Sequence, residues 1–196
     1  MVVRLSTLTR LLLVGPIALT CLDPGLRAEE GVPSDFQAAI LMRMLSYDRA
    51  LKARAGNPVV VGIVAKSEDR SSAQAQAELA KALSVLQSGW VQGLRLSVVT
   101  TGYKDAADLT AWLAQKKVQV LYVVPGLSKE LEGIRDVCVE RKIVSVTPVR
   151  AFVERGLVAG IVLKGDRARI LVNLPAAVAA GMDLDPKLLE LSEIIR

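Results

Sequence analysis

Val158-Ala-Gly-Ile-Val-Leu-Lys-Gly-Asp-Arg-Ala-Arg-Ile-Leu-Val-Asn173 consists of two apolar runs around Lys164-Gly165-Asp166-Arg167. Gly and Asp tolerate positive φ, so the central four residues predict a tight hairpin turn. The second run alternates, with Ala168, Ile170 and Val172 on one face and Arg167, Arg169 and Leu171 on the other. This predicts a strand with one buried and one partly polar face. Asn173-Leu174-Pro175 then opens a short Ala-rich helix that stops at Gly181, proline being suited to the first helical position. Asp185-Pro186 starts a last helix, whose Leu188, Leu189, Leu191 and Ile195 form an apolar stripe.

Upstream, residues 59–65 are a continuous apolar run, as expected of a parallel strand buried on both faces. Further strands are expected at 94–100, 118–124 and 143–147. Helices are expected between them at 71–86, 106–115 (capped by Asp105) and 128–141. Ser34, after Val32-Pro33, is expected to cap a first helix carrying Phe36, Ile40, Leu41, Met44 and Leu45. Alternating strands and helices imply a three-layer α/β domain. Its sheet would have four mainly parallel strands plus the C-terminal antiparallel hairpin, with helices on both faces.

The 196 residues fit one domain behind an export segment. Hydrophobic residues make up 52% and aromatics only 4%, so the core must be aliphatic. A net charge of +5 and few aromatics argue against a nucleic-acid partner. There is no histidine, which removes Ser-His-Asp and Cys-His catalysis, imidazole zinc sites and histidine pH switches. Residues 1–28 read as a signal peptide: Arg4 and Arg10 precede an apolar core at 11–22 that is too short to span a bilayer. Cleavage is expected after Ala28, leaving a single domain at 29–196 and a periplasmic protein. Ala18-Leu19-Thr20 ahead of Cys21 is a poor lipobox. The remaining cysteine, Cys138, falls on an apolar helix stripe and reads as an inert core thiol.

The order of hairpin, Asn173-Leu174-Pro175-Ala176-Ala177, a Gly181 stop and a Leu-rich closing segment resembles the end of the YfiR family of periplasmic proteins. The resemblance is clearest over 160–191 and extends more loosely back to Ser34. It implies a non-catalytic regulator without a cofactor. Such a protein would bind and restrain the periplasmic sensor domain of an inner-membrane enzyme, typically a diguanylate cyclase in cyclic-di-GMP signalling. A histidine kinase is a compatible partner, and an outer-membrane lipoprotein can sequester such repressors; homodimerisation is left open. Two features depart from the family: Ser46-Tyr47-Asp48-Arg49 stands where a Trp-Pro pair is usual, and no cysteine pair remains after export.

The alternative class is a periplasmic small-solute-binding protein. Ligands of open α/β sheets sit beyond the carboxyl ends of the strands. Lys66-Ser67, Thr100-Thr101-Gly102-Tyr103, Val124-Pro125-Gly126 and Thr147-Pro148 are the turns there, and Thr101 and Tyr103 are the candidate contacts. Ordinary loop composition explains these turns equally well. No glycine-rich phosphate loop follows the first strand, and Ser71 and Ser72 read as helix caps. Asp105, Asp108, Asp183 and Asp185 stand at helix starts, where negative charge is favourable without any metal. Trp112 fits a core position, whereas Trp90, in a loop, and Arg169, on the polar face of the hairpin, are candidate partner contacts.

Overall fold

The computed structural model describes residues 31–86 and 90–196. Eight strands form one sheet: β1 (Val59–Ala65), β2 (Trp90–Val91), β3 (Leu94–Gly102), β4 (Val120–Val123), β5 (Val144–Thr147), β6 (Ala159–Lys164), β7 (Arg167–Asn173) and β8 (Ser192–Ile195). Their order is β2-β3-β1-β4-β5-β6-β7-β8. The helices are α1 (Ser34–Ser46), α2 (Leu51–Arg54), α3 (Arg70–Val85), α4 (Ala106–Lys116), α5 (Leu131–Glu140), α6 (Arg150–Glu154), α7 (Leu174–Ala179) and α8 (Pro186–Glu190).

The expected α/β layering is present. Val59, Val61, Ile63 and Ala65 of β1 face a core shared with Leu41 and Leu45 of α1 and Leu79 and Leu83 of α3. Val60 and Val64 face a second core with Leu109 and Leu113 of α4, Ile134 and Cys138 of α5 and Phe152 of α6. Burial on both faces is why β1 is apolar at every position. Gly62 leaves room on the second face: a Cβ there would lie 2.9 Å from the Trp112 ring.

The sheet is larger than expected, and the antiparallel hairpin is present at its C-terminal side as β6 and β7. β6 runs parallel to β5, β7 reverses direction and β8 follows it, and at the other edge β2 is antiparallel to β3. The predicted stripe of a last helix is replaced by two elements. α8 ends at Glu190, and Ser192-Glu-Ile-Ile pairs with β7 in parallel from Ile170 to Asn173. Ile194 and Ile195 are β-branched and gain a strand partner that a helix would deny them. Consequently Leu188 is buried, Leu191 is 58% exposed and Ile195 lies on a strand. Along β7 the alternation holds, with Ile170 and Val172 packed on the core of α1 and α3, but burial does not follow it throughout. Leu171 is fully buried, whereas Ala168 is exposed, because burial depends on distance from the hairpin tip as well as on alternation.

Two caps differ from expectation. Pro33, not Ser34, occupies the cap position of α1, and Ser34 makes no side-chain cap. Asp69 caps α3 by accepting from the Ser71 and Ser72 amides. Asp105 caps α4 as expected, accepting from the Asp108 amide at 2.8 Å.

Candidate functional site

β1 is followed by α3 on one face of the sheet, and its neighbour β4 is followed by α5 on the other. The two loops diverge at this point, which is where an open α/β sheet ordinarily offers a ligand crevice. In this chain the crevice is filled by its own side chains. The Ser72 hydroxyl accepts from the Lys66 amide at 3.0 Å and donates to the Pro125 carbonyl at 2.7 Å. Gly126 has φ +100°, and a Cβ there would lie 3.0 Å from Asp69 Oδ2. A Cβ on Gly102 would lie 1.7 Å from Ser67 Oγ.

Above this filling, Lys66 Nζ meets Glu130 Oε1 at 2.8 Å. The pair links the β1 loop to the start of α5. Their mutual hydrogen bond holds the Glu130 carboxyl below its ordinary pKa and raises that of Lys66. Glu130 Oε2 is buried without a hydrogen-bond partner among the described residues. The Tyr103 hydroxyl lies close over Gly133 of α5, where a Cβ would be 3.0 Å away. Partial burial, reinforced by the carboxylates of Asp105 and Glu130, raises the Tyr103 pKa. Thr101 is half-buried; its carbonyl accepts from Gln76 Nε2 at 2.7 Å.

The structure therefore brings Thr101 and Tyr103 to one rim with Lys66 and Glu130. Glu130 escaped sequence reasoning; the only signal was an acid just ahead of a helix that itself begins later than expected. Trp90 is not part of this rim. Its backbone pairs with Arg95 at the opposite end of β3, and its side chain lies outside the described residues. Ala28 and Cys21 also lie outside them. Cys138 is buried, and desolvation pushes its thiol up to about 12. Among the described residues no group of three or more acids and cysteines could hold a metal ion.

Arg169 belongs to a second feature. β5 pairs with β6 only at Ala159 and Gly160, and β8 pairs with β7 only from Ile170 onward. Residues 163–169 thus protrude as a two-stranded ribbon, and every one of them is exposed. Lys164, Arg167 and Arg169 against a single Asp166 make the ribbon basic. Glu193 of β8 anchors its base. It accepts from Arg150 at 2.8 Å and from Lys164 at 3.3 Å, which lowers its pKa to about 2.

A family model described as YfiR/HmsC-like matches residues 34–193. No curated protein matches the chain. Three solved structures share the fold. A conserved domain protein from Vibrio cholerae is 16% identical with a TM-score of 0.58, over 84% of this chain and 60% of that one. A Streptococcus pneumonia ABC domain in complex with L-Trp is 14% identical with a TM-score of 0.59, over 83% and 60%. CD0873, a substrate binding protein with adhesive properties from Clostridium difficile, is 19% identical with a TM-score of 0.54, over 75% and 57%. The chain spans about 60% of the length of the first two. Among the described residues, no helix is long and apolar enough to cross a membrane.

Proposed function

Because the chain belongs to the YfiR/HmsC-like family of periplasmic regulatory proteins, we propose that it is exported and restrains a membrane sensor protein by binding its periplasmic domain. The match over residues 34–193 carries this reading, since it takes in nearly all of the described domain. A diguanylate cyclase or a histidine kinase is the kind of enzyme such a domain would govern. Restraint requires differential affinity: the regulator shifts the enzyme only by binding its inactive state more tightly. A shift from 1:99 to 99:1 needs about 5.5 kcal/mol of such preference.

The basic ribbon is the surface we assign to the partner. It is exposed, it protrudes, and its charges are held on a strand pair rather than a loose loop. Arg169→Glu reverses one of these charges without touching the core. The expected outcome is an unchanged melting temperature with loss of co-purification with the sensor from a membrane extract. Retained co-purification in an Arg167→Glu/Arg169→Glu double variant would rule the ribbon out.

Solute binding is a second reading, supported by the position of Lys66, Glu130 and Tyr103 at the strand ends. The filled crevice weighs against it, because Ser67, Ser72 and Asp69 would have to move for a ligand to enter. A thermal shift above the noise with any amino acid at millimolar concentration would revive it. Export with cleavage after Ala28 predicts a mature N-terminus at Glu29, which mass spectrometry of the periplasmic protein checks.

A further inference from the structure

The ribbon at residues 163–169 has two unlike faces, and the strand registers sort them. Lys164 pairs with Arg167, Val162 with Arg169 and Gly160 with Leu171. Leu171 pairs in turn with Glu193 of β8. Directly paired residues share a face, and so do alternate residues along a strand. A Cβ on Gly160 would lie 2.8 Å from Val153 of α6, so this is the face that α6 covers. Beyond α6 it carries Lys164, Arg167 and Arg169, all exposed, and Arg150 of α6 reaches over it to Glu193. The opposite face carries Ile161, Ile170 and Val172 on the core of α1 and α3, then Leu163 and Ala168 toward the tip.

The cations of this face are not balanced within the chain. Glu193 sits between Arg150 and Lys164, at 2.8 and 3.3 Å, and Glu154 lies 3.7 Å from Arg150. Among the described residues, no acid forms an ion pair with Arg167 or Arg169. Lys164 and Arg167 also stand directly opposite each other where the hairpin closes, a like-charge pair that weakens an antiparallel ribbon. A local rule broken with no gain inside the fold is the mark of a surface kept for function.

We propose that this face takes an acidic segment of a partner protein. Arg167 and Arg169 each hold one of its carboxylates, while Glu193 keeps Arg150 and Lys164 in place beside them. This names the chemistry of the partner's surface, and it rests on the reading of the ribbon as the contact with the sensor. Arginine suits the task, because its planar fork binds a carboxylate through two hydrogen bonds and is weakly hydrated. Arg167 and Arg169 stand two residues apart on a strand, about 6.8 Å. Acids at alternate positions of an extended partner segment match that spacing one to one. An anionic lipid surface fits less well. Cations without an apolar anchor attach weakly to a membrane, and Leu163, the one large apolar side chain on the ribbon, lies on the opposite face.

The test is NMR on the isotope-labelled protein at about 0.15 M salt, where exposed charges are screened. The probe is an octapeptide of alternating Glu and Thr. The controls are the same peptide with Gln in place of Glu, and vesicles of phosphatidylglycerol. The expected result is that only the Glu peptide shifts the Arg167 and Arg169 Nε signals and the amides of 163–169. Arg167→Gln with Arg169→Gln should weaken that binding about tenfold at an unchanged melting temperature. Glu193→Gln leaves both arginines in place and should bind at least as tightly. No ribbon shifts up to about 5 mM peptide, a millimolar interaction being the weakest of interest, would overturn the proposal. So would shifts spread evenly over the basic residues of the whole surface, or an equal response to the Gln peptide. A response to vesicles and none to peptide would give the face to lipid instead. If the peptide fails while Arg167→Glu/Arg169→Glu still loses the sensor, the acidic partner is refuted and the sensor contact stands. If the peptide binds while that variant keeps the sensor, the sensor contact falls and the chemistry of this face stands.

Discussion

At Gly62 the absence of one carbon matters. A Cβ there would press on Trp112 at 2.9 Å and on Val118 at 3.0 Å. Gly62→Ala is expected to cost about 1–3 kcal/mol by overpacking. In urea unfolding the cost should shrink when Trp112→Leu is added, because the two sites share the same space. Cys138 is the opposite case, a small apolar group whose thiol is buried and held protonated. Cys138→Ser should cost about 1–3 kcal/mol, the penalty for a buried hydroxyl without an assured partner. The native thiol should resist thiol reagents until the protein unfolds. The position of Cys138 on an apolar stripe was readable in the sequence, and so was the Asp105 cap. The Gly62–Trp112 contact was not, since those residues meet only when α4 is laid across β1.

Among the elements, the C-terminal segment separates local from tertiary information most clearly. Leu188 and Leu191 are equivalent on a helical stripe, yet one is buried and the other 58% exposed. Leu188→Ala should therefore cost about 2–5 kcal/mol, whereas Leu191→Ala should stay within about 0.5 kcal/mol. A single pair of chemical denaturation curves checks both. Glu193 holds β8 to α6 and β6 through Arg150 and Lys164, and its folded pKa is about 2 against an ordinary 4.5. A depressed carboxyl contributes stability above its unfolded pKa and loses it as pH falls through the folded value. The ribbon and β8 should thus loosen between about pH 4.5 and 2. Amide exchange in 192–195 should rise over that window, and Glu193→Gln should show the higher exchange already at pH 7.

For the whole molecule, the first helix and the last turn are clasped together by Asp48. Its carboxylate is fully buried, pairs with Arg54, and accepts from the Ala50 and Asp183 amides at 3.1 Å each. Arg49 and Tyr47 add main-chain bonds to Asp183 and Asp185. Asp48→Ala would leave the Arg54 charge buried and alone, at a cost of about 3–5 kcal/mol. That is a large fraction of the about 5–15 kcal/mol available to a domain. Thermal unfolding should reveal it as a single lowered transition. The sequence by itself determined the α/β class, the alternation of the longer strands and helices from 59 to 147, though not the short β2 at Trp90–Val91 that reads as loop, and the hairpin turn at Lys164–Arg167. These follow from periodicity, turn residues and local order, all short-range properties of the chain. Only the tertiary structure decided that Ser192-Glu-Ile-Ile is a strand, that Ser67, Asp69 and Ser72 fill the crevice, and that Asp48 clasps the two ends. Each of these depends on a partner far away in sequence, and no local pattern encodes which surface the fold will bring within reach.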